Sequence, residues 1–236
     1  MYRGKITCYL ILLVLLGACR KKDYDPNFLA YSYNFETGTQ GWQSLFSDYP
    51  VGEEAGYQLA FEHTTLPSPL ESNGKALKMH GNNHSDDLLM MLYKKIEGLK
   101  PKTSYAVTFN VQLASNAIKN GFGAGGSPDL SLGGGVISHE PENKTELVGN
   151  TYYYRPNFQV RLQSNLSNEI CKVLGKIGAN ESSPEFKMIN RNNLSDPLMI
   201  TTNQNGEAWI IVGVDSGFEG ITTLYYKSIA VRFVQK

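Results

Sequence analysis

The segment SYAVTFNVQLA, residues 104–114, alternates between apolar and polar side chains along its length. One face carries five apolar residues: Tyr105, Val107, Phe109, Val111 and Leu113. This period of two is that of a β-strand, and a helix would scatter the same side chains around its axis. A strand with one apolar face has to bury that face against a second layer. The segment therefore predicts a sheet packed on another element.

Extended patterns recur along the chain, and no stretch has the period of a long amphipathic helix. We predict further strands in YSYNFE, YQLAFEH, ALKMH, LLMMLYKKI, NFQVRLQ, EICKVLGKI, PLMITT, AWIIVGV and TTLYYKSIAVRFV. Asn205-Gly206 lies before AWIIVGV and predicts a hairpin, because both residues accept positive φ. The last strand changes phase, so we expect a bulge near Lys227-Ser228. The predicted fold is all-β, a single β-sandwich over residues 31–236.

The N-terminal residues have the layout of a secretory signal. Arg3 and Lys5 precede an apolar run at residues 9–16, which is shorter than the ~20 residues that span a bilayer. The following LGAC resembles the bacterial lipoprotein box, which implies a signal peptide over residues 1–18 and a lipid on Cys19. The alternative is an ordinary secretory signal that contains a cysteine.

Residues 19–30 would then hold the lipidated Cys19 and a charged tether. Its RKKDYDPN segment resembles the stretch that marks surface export in Bacteroidota lipoproteins. The expected location is the cell envelope, as an outer-membrane lipoprotein attached to the membrane through Cys19. Surface exposure is the first expectation, and the periplasmic leaflet is the alternative.

Cysteine content and charge limit the partners that the chain can have. Cys8 would leave with the signal and Cys19 would take the lipid, so Cys171 has no partner for a disulfide. The 22 basic and 22 acidic residues give a formal net charge of zero, and they are interspersed. No basic stripe points to nucleic acid, so we predict no nucleic-acid partner.

The stretch HGNNHSDD concentrates polar groups between two apolar runs. It is either a polar turn whose side chains bind their own backbone, a hard-cation site or a place for ligand hydrogen bonds. The cation would be calcium, bound by Asp86, Asp87 and asparagine oxygens. Zinc is disfavoured, because only His63 and His139 could complete its ligands and neither is tied to this stretch by spacing.

Two other segments carry candidate site residues. In GVDSGFEG, Asp215 and Glu219 follow a buried strand, where they would form a structural turn, bind a ligand or act as a glycosidase-type carboxylate pair. Ser216 lies outside any G-x-S-x-G elbow. In TYYYRP, three consecutive tyrosines cannot all face inward, and Tyr153 is the candidate for a binding platform. FSDYP, with Asp48, is a second loop candidate.

Three stretches, YNFETGTQGWQ, LKPKTSYAVTFNVQL and TTLYYKSIAVRF, resemble landmarks of galactose-binding-like jelly rolls. GNNHSDDL, GGSPD and VDSGFEGITTLYY are similar to segments of secreted bacterial proteins with that fold. The resemblance implies a jelly roll of the kind that many carbohydrate-binding modules use. It also implies a calcium site between an opening-strand glutamate, here Glu36, and a closing-strand aspartate. Lys227 stands at the aspartate's place, so we predict a Glu36–Lys227 ion pair in place of that calcium.

The expected function is a lipid-anchored binding module at the envelope, for a glycan. The predicted ligand-binding residues are Asn83, His84, Asp86, Asp87, Tyr153, Asp215 and Glu219. We assign no catalytic residue and no metal ligand, and expect no cofactor, with calcium as the alternative. The rival functions are a glycan-active hydrolase or esterase and a structural subunit of an envelope complex.

Overall fold

The computed structural model describes residues 27–236, which form two antiparallel sheets and a hairpin. The strands, in chain order, are β1 (Phe28–Asn34), β2 (Gln43–Ser47), β3 (Ala60–Thr65), β4 (Lys75–Asn82), β5 (Leu88–Ile96), β6 (Ser104–Ser115), β7 (Ser131–Ile137), β8 (Asn143–Val148), β9 (Thr151–Pro156), β10 (Cys171–Lys176), β11 (Lys187–Asn192), β12 (Leu198–Thr201), β13 (Ala208–Ser216) and β14 (Ile221–Gln235). One 3-10 turn, Glu71–Asn73, is the helical element among them. No helix in this range has the length and apolar character needed to cross a bilayer.

The two sheets face each other, as the predicted β-sandwich requires. The seven-stranded sheet has the order β11-β6-β14-β4-β3, with β1 added to β14 and β12 added to β6. The five-stranded sheet has the order β10-β7-β13-β5-β2. The predicted apolar face of β6 packs in the core between them, together with Met90 of β5 and Val212 of β13. The predictions of an all-β fold and a single sandwich are confirmed.

The predicted signal, Cys19 and most of the expected tether lie outside the described residues. The end of the tether does not: β1 begins at Phe28 and pairs with β14, so residues 28–30 belong to the sheet. Gln235 also donates a backbone hydrogen bond to the carbonyl of Asn27 at 2.8 Å. The chain therefore enters the sandwich beside its own last strand.

The outer face of the five-stranded sheet is also apolar, and a loop covers it. Leu89, Met91, Trp209 and Ile211 form this second cluster, which residues 157–170 cross. NFQVRLQ lies in that crossing segment, so its predicted strand is wrong. Its alternation has another cause: its apolar side chains, Phe158 among them, pack onto the sheet, while its backbone forms no strand and, after Asn157, has only an isolated bridge from Arg161 to Leu166.

The hairpin predicted at Asn205-Gly206 is also wrong, although the turn exists. Gly206 has φ of +69°. The strand before it, β12, pairs with β6, whereas β13 after it pairs with β5 and β7. The turn therefore carries the chain from one sheet to the other. Asn-Gly specifies a reversal of the chain, and the partners of the flanking strands depend on longer-range packing.

The predicted ion pair between the first and last strands is present. The Lys227 ammonium donates to the Glu36 carboxylate and, at 3.2 Å, to the carbonyl of Lys75. The backbone N–H of Lys75 donates to the same carboxylate at 3.3 Å. The hydrogen bond from Lys227 lowers the pKa of Glu36. The register of β14 on β6 shifts between Tyr226 and Ser228, so the predicted bulge is confirmed.

Candidate functional site

Three carboxylates, two from loops and one from a strand, meet at one end of the five-stranded sheet. Asp48 follows β2 with φ of +67°, Asp87 precedes β5, and Asp215 is the penultimate residue of β13. Each contributes an oxygen to a group whose members all lie within 4.8 Å of one another. In the ladder, Leu89 of β5 is opposite both Asp215 and Ser47 of β2. Adjacent strands therefore bring the three carboxylates together.

Two side chains donate hydrogen bonds to the three carboxylates, one from the β8–β9 hairpin and one from the loop at residues 157–170. Arg155 of β9 donates through Nη1 to Asp48 Oδ1 at 2.7 Å and to Asp87 Oδ2 at 3.1 Å. Gln163 donates through Nε2 to Asp87 Oδ1 at 2.9 Å and to Asp215 Oδ1 at 3.2 Å. The guanidinium makes a third ion-pair contact, from Arg155 Nε to Glu146 Oε2, at 3.7 Å. A single full positive charge thus faces three close carboxylates.

Burial is the main cause that raises the pKa of all three acids. Burial, followed by repulsion from Asp87 and Asp48, raises the pKa of Asp215 to about 7. Burial and the charge of Asp48 raise the pKa of Asp87 to about 6, against the opposing effect of Arg155. Burial also raises the pKa of Asp48. Near neutral pH Asp215 is therefore partly protonated, and in its protonated form the cluster offers both a donor and acceptors.

The carboxylates form one wall of an open cleft of about 560 Å³. The side chains that line it are of three kinds: acidic (Asp48, Asp87, Glu146, Asp215), donor (Arg155, Arg161, Gln159, Gln163, Ser164) and apolar (Leu89, Pro156, Phe158, Val160). Carboxylates, a guanidinium and an amide next to an apolar surface are suited to a ligand with many hydroxyl groups.

The three acids are a candidate cation site by ligand type, but their hydrogen bonds argue against one. Calcium needs six to eight oxygen ligands. Asp48 Oδ1 and Asp87 Oδ2 both accept from the Arg155 guanidinium. The cation's place is thus taken by Arg155, and the residues do not fit a calcium ion while that side chain is in position.

Of the predicted ligand-binding residues, Asp87 and Asp215 are brought together in the cleft. Asp86 and Glu219 are not among the residues that line it. The Asp86 carboxylate and the Glu219 side chain pack against Gly125 instead. The carboxylate that the structure places beside Asp215 is therefore Asp87, and not Glu219 as in the suggested glycosidase pair.

Asn83 and His84 serve the turn between β4 and β5. The buried Asn83 amide donates to the carbonyls of Ser216 and Phe218, and its oxygen accepts from the backbone of Ser85. The exposed His84 lies edge-on to the Tyr57 ring, with 5.3 Å between ring centroids. Both roles match the polar-turn interpretation.

Tyr153 is not among the residues that line the cleft. The Arg155 guanidinium sits over its ring, 5.3 Å from the centroid, so this tyrosine helps to position the arginine. Tyr152 is the exposed member of the three tyrosines, at 58%. Arg155 and Gln163 were missed by the sequence analysis. The sequence feature that could have identified Arg155 is its position directly after three tyrosines. No local sequence feature identifies Gln163 as a site residue.

Neither a protein-family model nor a curated protein sequence matches the chain. Among solved structures, a candidate sugar-binding protein of Bacteroides thetaiotaomicron has 9% identity and a TM-score of 0.41, over 86% of this chain and 92% of that chain. A carbohydrate-binding module that recognises mannan has 9% identity and a TM-score of 0.35, over 87% and 97%. A carbohydrate esterase from Shiga toxin-encoding bacteriophage phi24B has 14% identity and a TM-score of 0.37, over 87% and 97%. At these TM-scores the likenesses do not identify a ligand for this chain.

Proposed function

We propose that this protein is a glycan-binding module held at the cell envelope by a lipid on Cys19. One observation carries the binding proposal: the carboxylates of Asp48, Asp87 and Asp215 share an open cleft with Arg155 and Gln163. Sugar hydroxyls both donate and accept hydrogen bonds, so adjacent hydroxyls match a surface where acceptors and donors alternate. The apolar wall of the cleft would contact the C–H faces of the rings.

The binding proposal is tested with immobilised polysaccharides of three classes: neutral, amino-substituted and acidic. We expect retention on the neutral or amino-substituted class and weak retention on the acidic class, because acidic side chains outnumber basic ones in the cleft. Asp87→Asn should weaken binding at least about tenfold, since hydrogen bonds to charged groups contribute roughly 1.5–3 kcal/mol. Asp86→Asn is the matched control, because Asp86 is next to Asp87 in the sequence but its carboxylate lies outside the cleft. Equal effects of the two variants, or no retention on any class, would refute the proposal.

The anchor is tested separately, by fractionation of cells. Cys19→Ser should move the protein from the membrane fraction to soluble fractions, because acyl burial contributes about 0.8 kcal/mol per CH₂. Digestion of intact cells with an added protease distinguishes the surface from the periplasmic leaflet. Membrane retention of the Cys19→Ser protein would contradict the lipid anchor.

Hydrolysis of a glycan or ester is the second candidate function, and the close Asp87–Asp215 pair favours it. With pKa values of about 6 and about 7, the two groups could act as base and acid at neutral pH. Chromogenic glycosides and esters test this directly. Turnover that disappears in both Asp87→Asn and Asp215→Asn would establish catalysis, and binding without turnover would exclude it for those substrates.

A further inference from the structure

The strand β8 has one unpaired edge. It pairs with β9 on one side, and within residues 27–236 it has no strand on the other. All its residues after Asn143 are exposed. The hairpin also exposes Leu147 at 55%, Val148 at 44% and Tyr152 at 58%. An open strand edge with exposed apolar side chains is a ready place for another strand to add.

The hydrogen bonds of the hairpin fix which backbone groups face outward. Asn157 donates to the carbonyl of Glu142 at 2.9 Å, so in this antiparallel ladder the pairs at 144, 146 and 148 are the hydrogen-bonded ones. Consistently, Tyr154 directs its own N–H and carbonyl away from β8, to Tyr49 and Asp48. The outward backbone groups of β8 therefore belong to Asn143, Thr145 and Leu147.

A twofold axis can pair this edge with itself only in registers centred on one residue, because a slip by one residue would set outward groups against inward ones. Of the six residues of β8, five are paired when the centre is Thr145 or Glu146, and three when it is Lys144 or Leu147. The register centred on Lys144 puts that residue opposite its own copy, and the register centred on Glu146 puts Glu146 opposite its own copy. Only the register centred on Thr145 sets Lys144 opposite Glu146, and it does so twice.

We propose that β8 pairs antiparallel with β8 of a second copy of this chain, with Thr145 opposite Thr145 and Lys144 opposite Glu146. The complementary charges of Lys144 and Glu146 favour a second copy of β8 as the strand that adds to this edge. In the single chain Lys144 is opposite Arg155 across the hairpin, and no ion pair satisfies it in residues 27–236. A uniform row of lysines would block self-pairing, whereas Lys144 and Glu146 exclude the two neighbouring registers and allow this one.

The pairing would also join the two clefts. Glu146 and Arg155 line the cleft from the same hairpin, so the dimer would hold two clefts on either side of the new ladder. A polymeric ligand long enough to reach both would be held more tightly than by one.

Disulfide trapping tests the register in the full chain with Cys8→Ser and Cys19→Ser, where the remaining Cys171 is buried. Thr145→Cys faces its own copy and should form a disulfide-linked dimer on mild oxidation. Lys144→Cys is the matched control, because in this register it faces residue 146. Equal cross-linking of the two, or none by a folded Thr145→Cys protein, overturns the proposal.

Charge reversal tests complementarity without a covalent bond, by sedimentation velocity. Lys144→Glu alone and Glu146→Lys alone each place like charges opposite one another, so each should self-associate at least about tenfold more weakly than the wild type. A mixture of the two variants restores both opposite pairs and should form heterodimers near the wild-type affinity. A wild type that stays monomeric up to about 1 mM, or a mixture that stays monomeric while the wild type dimerises, overturns the proposal.

Discussion

The Glu36–Lys227 pair and the acidic cleft use ions in opposite ways. At the first site one carboxylate meets one ammonium, and the carbonyl of Lys75 accepts a further hydrogen bond from that ammonium. In the cleft the Arg155 guanidinium binds Asp48 and Asp87, while within residues 27–236 the side chain of Asp215 accepts a hydrogen bond only from the Gln163 amide. The first site is balanced in charge, and the second carries excess negative charge.

The difference is visible in the pKa values. The balanced site lowers the pKa of Glu36, so ionisation favours its folded form. The cleft raises the pKa of Asp215 to about 7, so ionisation disfavours its folded form. Carboxylates whose ionisation destabilises the folded protein, in an open cleft, are typical of a functional site. The balanced pair is explained by a structural role alone.

Arg155→Gln should have the largest effect, because it removes the cation from the cleft. We expect a loss of about 3 kcal/mol in the free energy of unfolding at pH 8, the lower end of the range for breaking a buried pair. The loss should shrink at pH 5, where Asp87 and Asp215 take up protons. Urea denaturation at both pH values measures it, with Arg161→Gln as the control. An equal loss at pH 5 would contradict the electrostatic explanation.

Asp215→Asn should act in the opposite direction. The folded pKa of about 7 lies above the ordinary aspartate pKa of 3.8, so ionisation of Asp215 costs stability as pH rises through this interval. The amide removes that cost, and we expect a gain on the order of 2 kcal/mol at pH 8 and almost none at pH 4. Glu219→Gln, outside the cleft, should be neutral in the same assay. A loss of stability at pH 8 would count against a strained carboxylate.

The pH profile of the melting temperature should separate the two sites within one protein. The cleft carboxylates withdraw stability as pH rises from about 4 to about 7. Glu36, with its lowered pKa, supplies stability that is lost as pH falls below the ordinary glutamate pKa of 4.5. Glu36→Gln should therefore reduce the change of melting temperature with pH only below about 4.5, and Asp215→Asn only between about 4 and about 7. Calorimetric scans across this range would reveal any mixing of the two effects.

Lys227→Asp should have the smallest effect, since half of the Glu36 side chain is exposed. It replaces an ion pair by two carboxylates, and we expect a modest decrease in melting temperature. Added calcium should reverse the decrease, because the two carboxylates then supply oxygen ligands. Lys227→Met loses the same ion pair but gains no ligand, so calcium should leave it unchanged. Recovery of both variants with calcium would point to a different site.

The balanced site could be predicted from the sequence, whereas the cleft could be predicted only in part. Lys227 lies in β14 and Glu36 follows the end of β1, and the pairing of these two strands follows from alternation and the bulge. Asp87 and Asp215 were identified because acidic residues follow or precede apolar strands. Their meeting depends on the order β13-β5-β2 in the sheet, which no local pattern specifies.

The hydrogen-bond donors of the cleft, Arg155 and Gln163, could not be predicted from the sequence for a related reason. Gln163 lies at the end of the segment that alternates like a strand but only packs on a sheet. Arg155 lies on the hairpin that folds over the sheet, where its partners are Asp48 and Asp87, far away in sequence. Pattern analysis predicts which face of a segment is buried, and it does not predict which distant loop that segment will cover.

The strand β14 separates the two ends of the molecule. It begins at Ile221, shortly after Asp215, and ends at Gln235 beside Asn27. Its 15 residues extend about 50 Å at ~3.3 Å per residue. A membrane attached on the N-terminal side of Phe28, as with the proposed lipid on Cys19, would therefore lie at the opposite pole from the cleft. The sandwich would act as a spacer, and its cleft would point outward to ligands too bulky to approach a lipid surface.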